Sequence, residues 1–169
     1  MSILKVARLG HPALRGGAKA LAREEIAAAA TQRLIADMIE TMREYNGVGL
    51  AAVQVHEPTQ VAVLEVADNP RYPEKPAVPL AVLINPRIEP LSEDVEEDWE
   101  GCLIVPDLRG KVPRYTQVRV HALDYNGAEM DFVATGFHAR VIQHEWDHLN
   151  GKVYLDRMRD LSTLTHLQE

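Results

Sequence analysis

One cysteine, Cys102, is all the thiol chemistry available to this chain of 169 residues. No internal disulfide can form, which agrees with a reducing compartment. Cationic residues are also short: 18 Lys and Arg stand against 25 Asp and Glu, a formal net charge of −7. That balance gives no electrostatic footprint for a phosphate backbone, so direct nucleic-acid binding is not expected. No apolar run approaches the length of a membrane span, and no membrane association is expected. The opening Met1-Ser2-Ile3-Leu4-Lys5 lacks the apolar stretch of a secretory signal. The expected address is the cytoplasm. Repeats, low-complexity tracts and interdomain linkers are likewise missing, so residues 1–169 are expected to form a single domain. With 46% hydrophobic residues, the chain has enough apolar material for a real core.

Against these absences stands His144-Glu145-Trp146-Asp147-His148. On a helix, this spacing puts two imidazoles one turn apart on one face, where both can bind a single metal ion. A carboxylate lies beside them to handle protons. The competing account is a charged surface helix with two solvated histidines. The segment resembles the zinc protease signature H-E-x-x-H-x-x-G-x-x-H up to Gly151, but Tyr154 stands where the third histidine belongs. Few residues follow His148, and the chain-end Glu169 is a poor fixed ligand. A third ligand should come from upstream, and Cys102 is the leading candidate.

A coarse pass places a first long helix over 24–45, with Leu34, Ile35, Met38, Ile39 and Met42 on its apolar face and Asn46-Gly47 as its stop. Residues 47–54 are small and apolar except for Gln54, and read as a packed turn between helix and strand. Strands are expected over 61–66 and 81–84, the second stopped by Asn85-Pro86. A loop containing Pro70, Pro73, Pro76 and Pro79 should separate them. Alternation at Val118, Val120 and Ala122, the Asn126-Gly127 turn, then Met130, Phe132 and Ala134, reads as a hairpin. The acidic run 93–100 reads mostly as a solvated strand or loop. Gly136 opens the last helix, where Phe137, Val141, His144 and His148 share one stripe. That stripe suggests an apolar side-chain pocket next to a reactive metal. The tail after Arg157 is assigned neither helix nor coil.

Three segments in order, Gly47-Val48-Gly49-Leu50-Ala51-Ala52-Val53-Gln54, Trp99-Glu100-Gly101-Cys102-Leu103 and Gln143 through Gly151, resemble the peptide deformylases. Further matches run from His11 to Arg157, so the resemblance covers most of the chain. It implies an α+β fold in which antiparallel sheets surround a central C-terminal helix carrying H-E-x-x-H, plus one long N-terminal helix. It implies a catalytic domain that removes the formyl group from nascent polypeptides beginning with formyl-methionine, at the ribosome exit, releasing formate. Cys102, His144 and His148 would hold one divalent metal, usually Fe(II) in this family, with zinc, nickel or cobalt able to occupy the same place. Two departures stand out. Ile104 replaces the usual serine after Glu-Gly-Cys-Leu, and Asp107 stands where many members have glycine.

The implied mechanism uses the metal to lower the pKa of bound water from ~16 toward ~7. Glu145 would act as general base and then general acid. The Gln54 side-chain amide and the Leu103 backbone N–H would stabilise the oxyanion. Val48, Phe137, Val141 and the His144 ring would wall a methionine slot, and the backbone of Val48 and Gly49 would pair with an extended peptide. Arg109 would border the site, and Glu100 would orient a ligand histidine through its second ring nitrogen. Asp147 is assigned to the fold. His11, His56, His121, His138 and His166 show no metal spacing. The alternatives are a zinc metallopeptidase, against which the missing third histidine and the Cys102 segment argue, and a non-catalytic metal-binding or ribosome-associated protein, against which Glu145 and Gln54 argue.

Overall fold

Short apolar segments broken by turn residues pair into two antiparallel sheets. The computed structural model describes residues 2–67 and 73–168. Its strands are β1 (Gly49–Ala51), β2 (Val61–Val66), β3 (Val78–Pro90), β4 (Val95–Cys102), β5 (Val105–Tyr115), β6 (Gln117–Leu123), β7 (Glu129–Thr135) and β8 (Thr165–His166). One sheet has the order β1-β2-β3-β6-β7 and the other β4-β5-β8. The helices are α1 (Arg23–Ile26), α2 (Ala29–Glu44) and α3 (Gly136–Leu149). This is an α+β architecture, with α3 in contact with strands of both sheets.

The apolar face of α2 is the expected one. Ile35, Met38 and Met42 are buried against Leu50, Val61, Val63, Val82 and Ile84, with Leu34 and Ile39 partly buried beside them. The helix does not run unbroken over 24–45, however. It is interrupted at Ala27 and Ala28, because the Ile26 carbonyl accepts from the Gln32 side chain at 2.8 Å, and Ile26 itself is drawn into the core. Glu24 and Glu25 occupy the first turn of α1, where they favour the helix dipole, and Glu25 caps the Ala22 N–H at 2.7 Å.

Three other expectations are corrected. Residues 47–54 contain strand β1 followed by a 3-10 turn, Ala52–Val55, rather than a turn alone. The strand expected over 81–84 is longer and passes through Asn85-Pro86. Asn85 adopts φ +52, the ladder with β6 shifts register between Ile84 and Arg87, and the missing proline N–H falls in that bulge. The Asn85 side chain accepts from Leu21 N–H and donates to Leu21 C=O, both at 2.9 Å, which holds the left-handed turn. Pro79 therefore lies within β3, Pro73 and Pro76 precede it outside any strand, and Pro70 lies outside the described residues. Strand β5, unmarked by alternation, pairs along the whole of β4. The tail forms a 3-10 turn, Leu161–Thr163, and the short strand β8 on β5.

The end of α3 explains Gly151. Lys152 N–H bonds Asp147 C=O at 2.9 Å and Gly151 N–H bonds His148 C=O at 3.1 Å, a Schellman closure. Gly151 sits at φ +73, and a Cβ there would lie 2.8 Å from the Arg15 carbonyl oxygen. The chain turns sharply away, leaving the last helical turn, with His148, inside the molecule.

Candidate active site and metal centre

Helix α3 aims His144 and His148 at a common point, with their rings 4.8 Å apart and nearly perpendicular. The end of β4 delivers Cys102 to the same point. Cys102 Sγ lies 3.2 Å from His148 Nε2, and His148 Nε2 lies 3.2 Å from His144 Nε2. All three residues are buried. Tetrahedral coordination with bonds of ~2.3 Å to sulfur and ~2.0–2.1 Å to nitrogen separates neighbouring donors by about 3.3–3.6 Å. The thiol and the two imidazoles thus fit a divalent metal of borderline softness. Among the described residues this is the one group of three such donors close enough to hold an ion.

Glu100 fixes the orientation of His144. Its Oε2 lies 2.9 Å from His144 Nδ1, so that nitrogen carries the proton and Nε2 keeps its lone pair for the common point. Burial disfavours a charge on His144, but the Cys102 sulfur and the Glu100 carboxylate outweigh it and raise the imidazole well above its ordinary range. The surroundings therefore favour positive charge at the common point, which a metal cation shared by Nε2 and the sulfur would supply in place of a ring proton. Burial and the neighbouring His144 charge hold His148 well below that range, in the neutral form a ligand needs.

Two arginines that the sequence reading missed support Glu100. Arg114 Nε and Nη2 bond its two oxygens at 2.9 Å, and Arg140 Nη1 bonds Oε1 at 2.8 Å. Burial opposes ionisation of Glu100, yet Arg114 and His144 hold it far below the carboxylate range. Asp147, assigned to the fold, bonds Arg114 at 2.5 Å and Arg157 at 2.6 Å. Spacing alone could have flagged Arg140, one turn before His144 on α3. Arg114 carries no such signal: it lies opposite Glu96 in the β4–β5 ladder, and its side chain reaches along the sheet to Glu100.

Glu145 is buried, and burial pushes its carboxyl up to about 7, with Glu100 adding to the rise and His144 and Arg114 opposing it. Its Oε2 has no hydrogen-bond partner in the protein. Its space is provided by Gly49, where a Cβ would lie 2.2 Å from Glu145 Oε1. Gln54 is fixed by its oxygen, which accepts from Ala51 N–H at 2.7 Å. The NH2 end is thereby turned toward Cys102 Sγ, 3.5 Å away.

An open pocket adjoins these groups, about 470 Å3 when the solvent space at its mouth is included. Val48, Gly49, Gln54, Glu100, Cys102, Leu103, Phe137, Val141, His144 and Glu145 all line it. His148 completes the donor group from behind. Arg109 is not in the wall; its guanidinium lies 4.8 Å from the ring centre of Trp99, which is. Val48 has its carbonyl committed to Glu65 N–H at 3.1 Å. The cavity opens between β1, an edge of the first sheet, and β4, an edge of the second. Asp107 sits at φ +63, a left-handed conformation that suits glycine, and Ile104 is buried beside Cys102 in the second sheet's core.

This geometry agrees with what the chain resembles. The polypeptide deformylase family model matches residues 3–163. The chain is 47% identical over 159 residues to peptide deformylase 1 of Nitrosomonas europaea, covering 94% of this chain and 89% of that protein. It is 54% identical over 129 residues to peptide deformylase 2 of Ralstonia nicotianae, covering 76% and 73%. A Met-Ala-Ser-bound class I type b peptide deformylase from Acinetobacter baumannii superposes with a TM-score of 0.90 at 40% identity, covering 94% of this chain and 100% of that one. Family match, overall identity and shared fold lead to one conclusion: this chain is an enzyme of the polypeptide deformylase family.

Proposed function

We propose that residues 1–169 act as one catalytic unit that hydrolyses the N-terminal formyl group of nascent polypeptides beginning with formyl-methionine, in the cytoplasm at the ribosome exit. The products are formate and a free amino terminus. The observation that carries this reading is the convergence of Cys102 Sγ and the two Nε2 atoms beside a buried, unpartnered Glu145 carboxylate oxygen. Cys102, His144 and His148 would hold one divalent metal, Fe(II) in the native protein. Bound there, the ion supplies Lewis acidity and an acidified water.

The protein's own groups do the rest. Glu145, near neutrality in its pKa, takes a proton from the attacking water and returns it to the departing amine. The Gln54 amide and Leu103 N–H donate to the oxyanion, each worth ~3–4 kcal/mol when well aimed. Val48, Phe137 and Val141 enclose the methionine side chain. The peptide extends between the edges of β1 and β4, adding backbone hydrogen bonds in the manner of an extra strand. Arg109 borders the site through Trp99, over whose ring its guanidinium lies.

Formate release from formyl-Met-Ala-Ser, compared with acetyl-Met-Ala-Ser and with an end-blocked internal peptide, tests the proposal. Turnover of the formyl peptide alone is expected. Cleavage of the internal peptide bond at a comparable rate would overturn it.

A further inference from the structure

The two proposed oxyanion donors lie on different elements, and one short N-terminal segment ties both down. Gln54 belongs to the 3-10 turn after β1, and Leu103 to the turn between β4 and β5. Ala7 N–H bonds the Gln54 backbone carbonyl at 2.8 Å. Leu9 N–H bonds the Ile104 carbonyl at 2.9 Å. Between them, the Arg8 guanidinium Nη1 donates to the Leu103 carbonyl at 2.7 Å across 95 positions of sequence. Val6 and Ala7 are buried with Cys102 and Ile104, so this segment is seated in the core under the turn.

We infer that Arg8 is a positioning residue for turnover, clamping the Cys102–Val105 turn so that the Leu103 N–H stays aimed at the reacting carbonyl. Cys102 is fixed by its place in the donor group and the β4–β5 ladder. With the Leu103 and Ile104 carbonyls held as well, rotation of the backbone at Leu103 is blocked on both sides. The side chain of Arg8 is exposed, so its removal leaves the core intact. Its bond is charge-assisted, and an aiming error in an oxyanion donor is paid in the transition state alone. The inference rests on the oxyanion role proposed for Leu103.

The test uses zinc-loaded full-length protein and the variants Arg8→Ala, Arg8→Met and Arg8→Lys. Steady-state kinetics on formyl-Met-Ala-Ser are read alongside amide hydrogen exchange at Leu103 and Ile104. Arg8→Ala and Arg8→Met are each expected to lower kcat about tenfold with KM within about twofold, a fraction of the loss from deleting a donor outright. Arg8→Lys keeps a donor and should recover most of kcat. Exchange at the two amides should rise about tenfold in the first two variants, with metal content and thermal midpoint unchanged. Wild-type kcat with unchanged exchange overturns the clamp while leaving the oxyanion reading intact. Wild-type kcat with faster exchange removes the Leu103 N–H from the reaction, and Arg8's part in turnover with it.

Discussion

Glu145 shows what a single side chain must give up to be useful. Its carboxyl is buried and one oxygen lacks a protein partner, an arrangement that costs stability and is tolerated for its chemistry. Glu145→Gln preserves shape and removes the base. It should keep full metal content and lose about 10²–10⁴-fold in kcat; metal analysis beside kinetics checks this, and parallel loss of metal and turnover would reassign Glu145 to ligand binding. Gly49 makes the second residue-scale prediction. A Cβ 2.2 Å from Oε1 cannot coexist with the present carboxylate position. Gly49→Ala should therefore lower kcat on the order of 10²-fold through misplacement of Glu145, with the metal retained. A crystal structure of that variant with Glu145 unmoved would count against the explanation. His144, Glu145 and His148 were legible as a group because helical spacing is a local property. The need for Gly49 was not, since it depends on a strand passing within contact distance of a helix that follows it by almost ninety residues.

Helix α3 and the β4–β5 hairpin form the working unit among the elements. The helix supplies two imidazoles and the proposed base, and the hairpin supplies the sulfur, Glu100 and Arg114. Periodicity gave the apolar faces of α2 and α3 and the β6–β7 hairpin. It missed the break before α2 and the bulge through Pro86 because side chains decide both: Gln32 takes the Ile26 carbonyl and Asn85 brackets Leu21. Strand β5 was missed because its buried positions alternate in space but are filled by Gly110, Val112 and the ion-paired Arg114, so its hydropathy does not alternate with its burial. One ion pair joins the N-terminal segment to the 3-10 turn Tyr154–Asp156 that follows α3. Arg15 binds Asp156 at 2.5 Å, and Asp156 also accepts from Val153 N–H at 2.8 Å. The hydrogen bond from Arg15 holds the Asp156 carboxyl below its ordinary value. A depressed carboxylate pKa means stability that is present above the unfolded value of 3.8 and lost as pH falls through the lower folded value. Asp156→Asn should thus cost up to about 1 kcal/mol at pH 7, given the exposure of the pair, and less at pH 2. Urea titrations at both pH values measure the difference; an equal cost at both would show that the charge is irrelevant.

At the scale of the molecule, two sheets and one helix bring together residues from positions 48 to 148, and the cavity exists only where the sheet edges approach α3. The fold class and the donor set were legible because three short motifs occur in one order. The buried partners of Glu100 were legible only in part: Arg140 stands one helical turn before His144, but nothing local marks Arg114, which reaches Glu100 from β5. The central claim is a metal held by one sulfur and two imidazoles at the closed end of that cavity. X-ray absorption at the metal edge of the stoichiometrically loaded protein tests it most directly. The expected spectrum contains one sulfur at about 2.3 Å and two imidazole nitrogens at about 2.0–2.1 Å, with the sulfur shell lost in Cys102→Ser. A wild-type spectrum without sulfur, or a chain that binds no stoichiometric metal, would contradict the account.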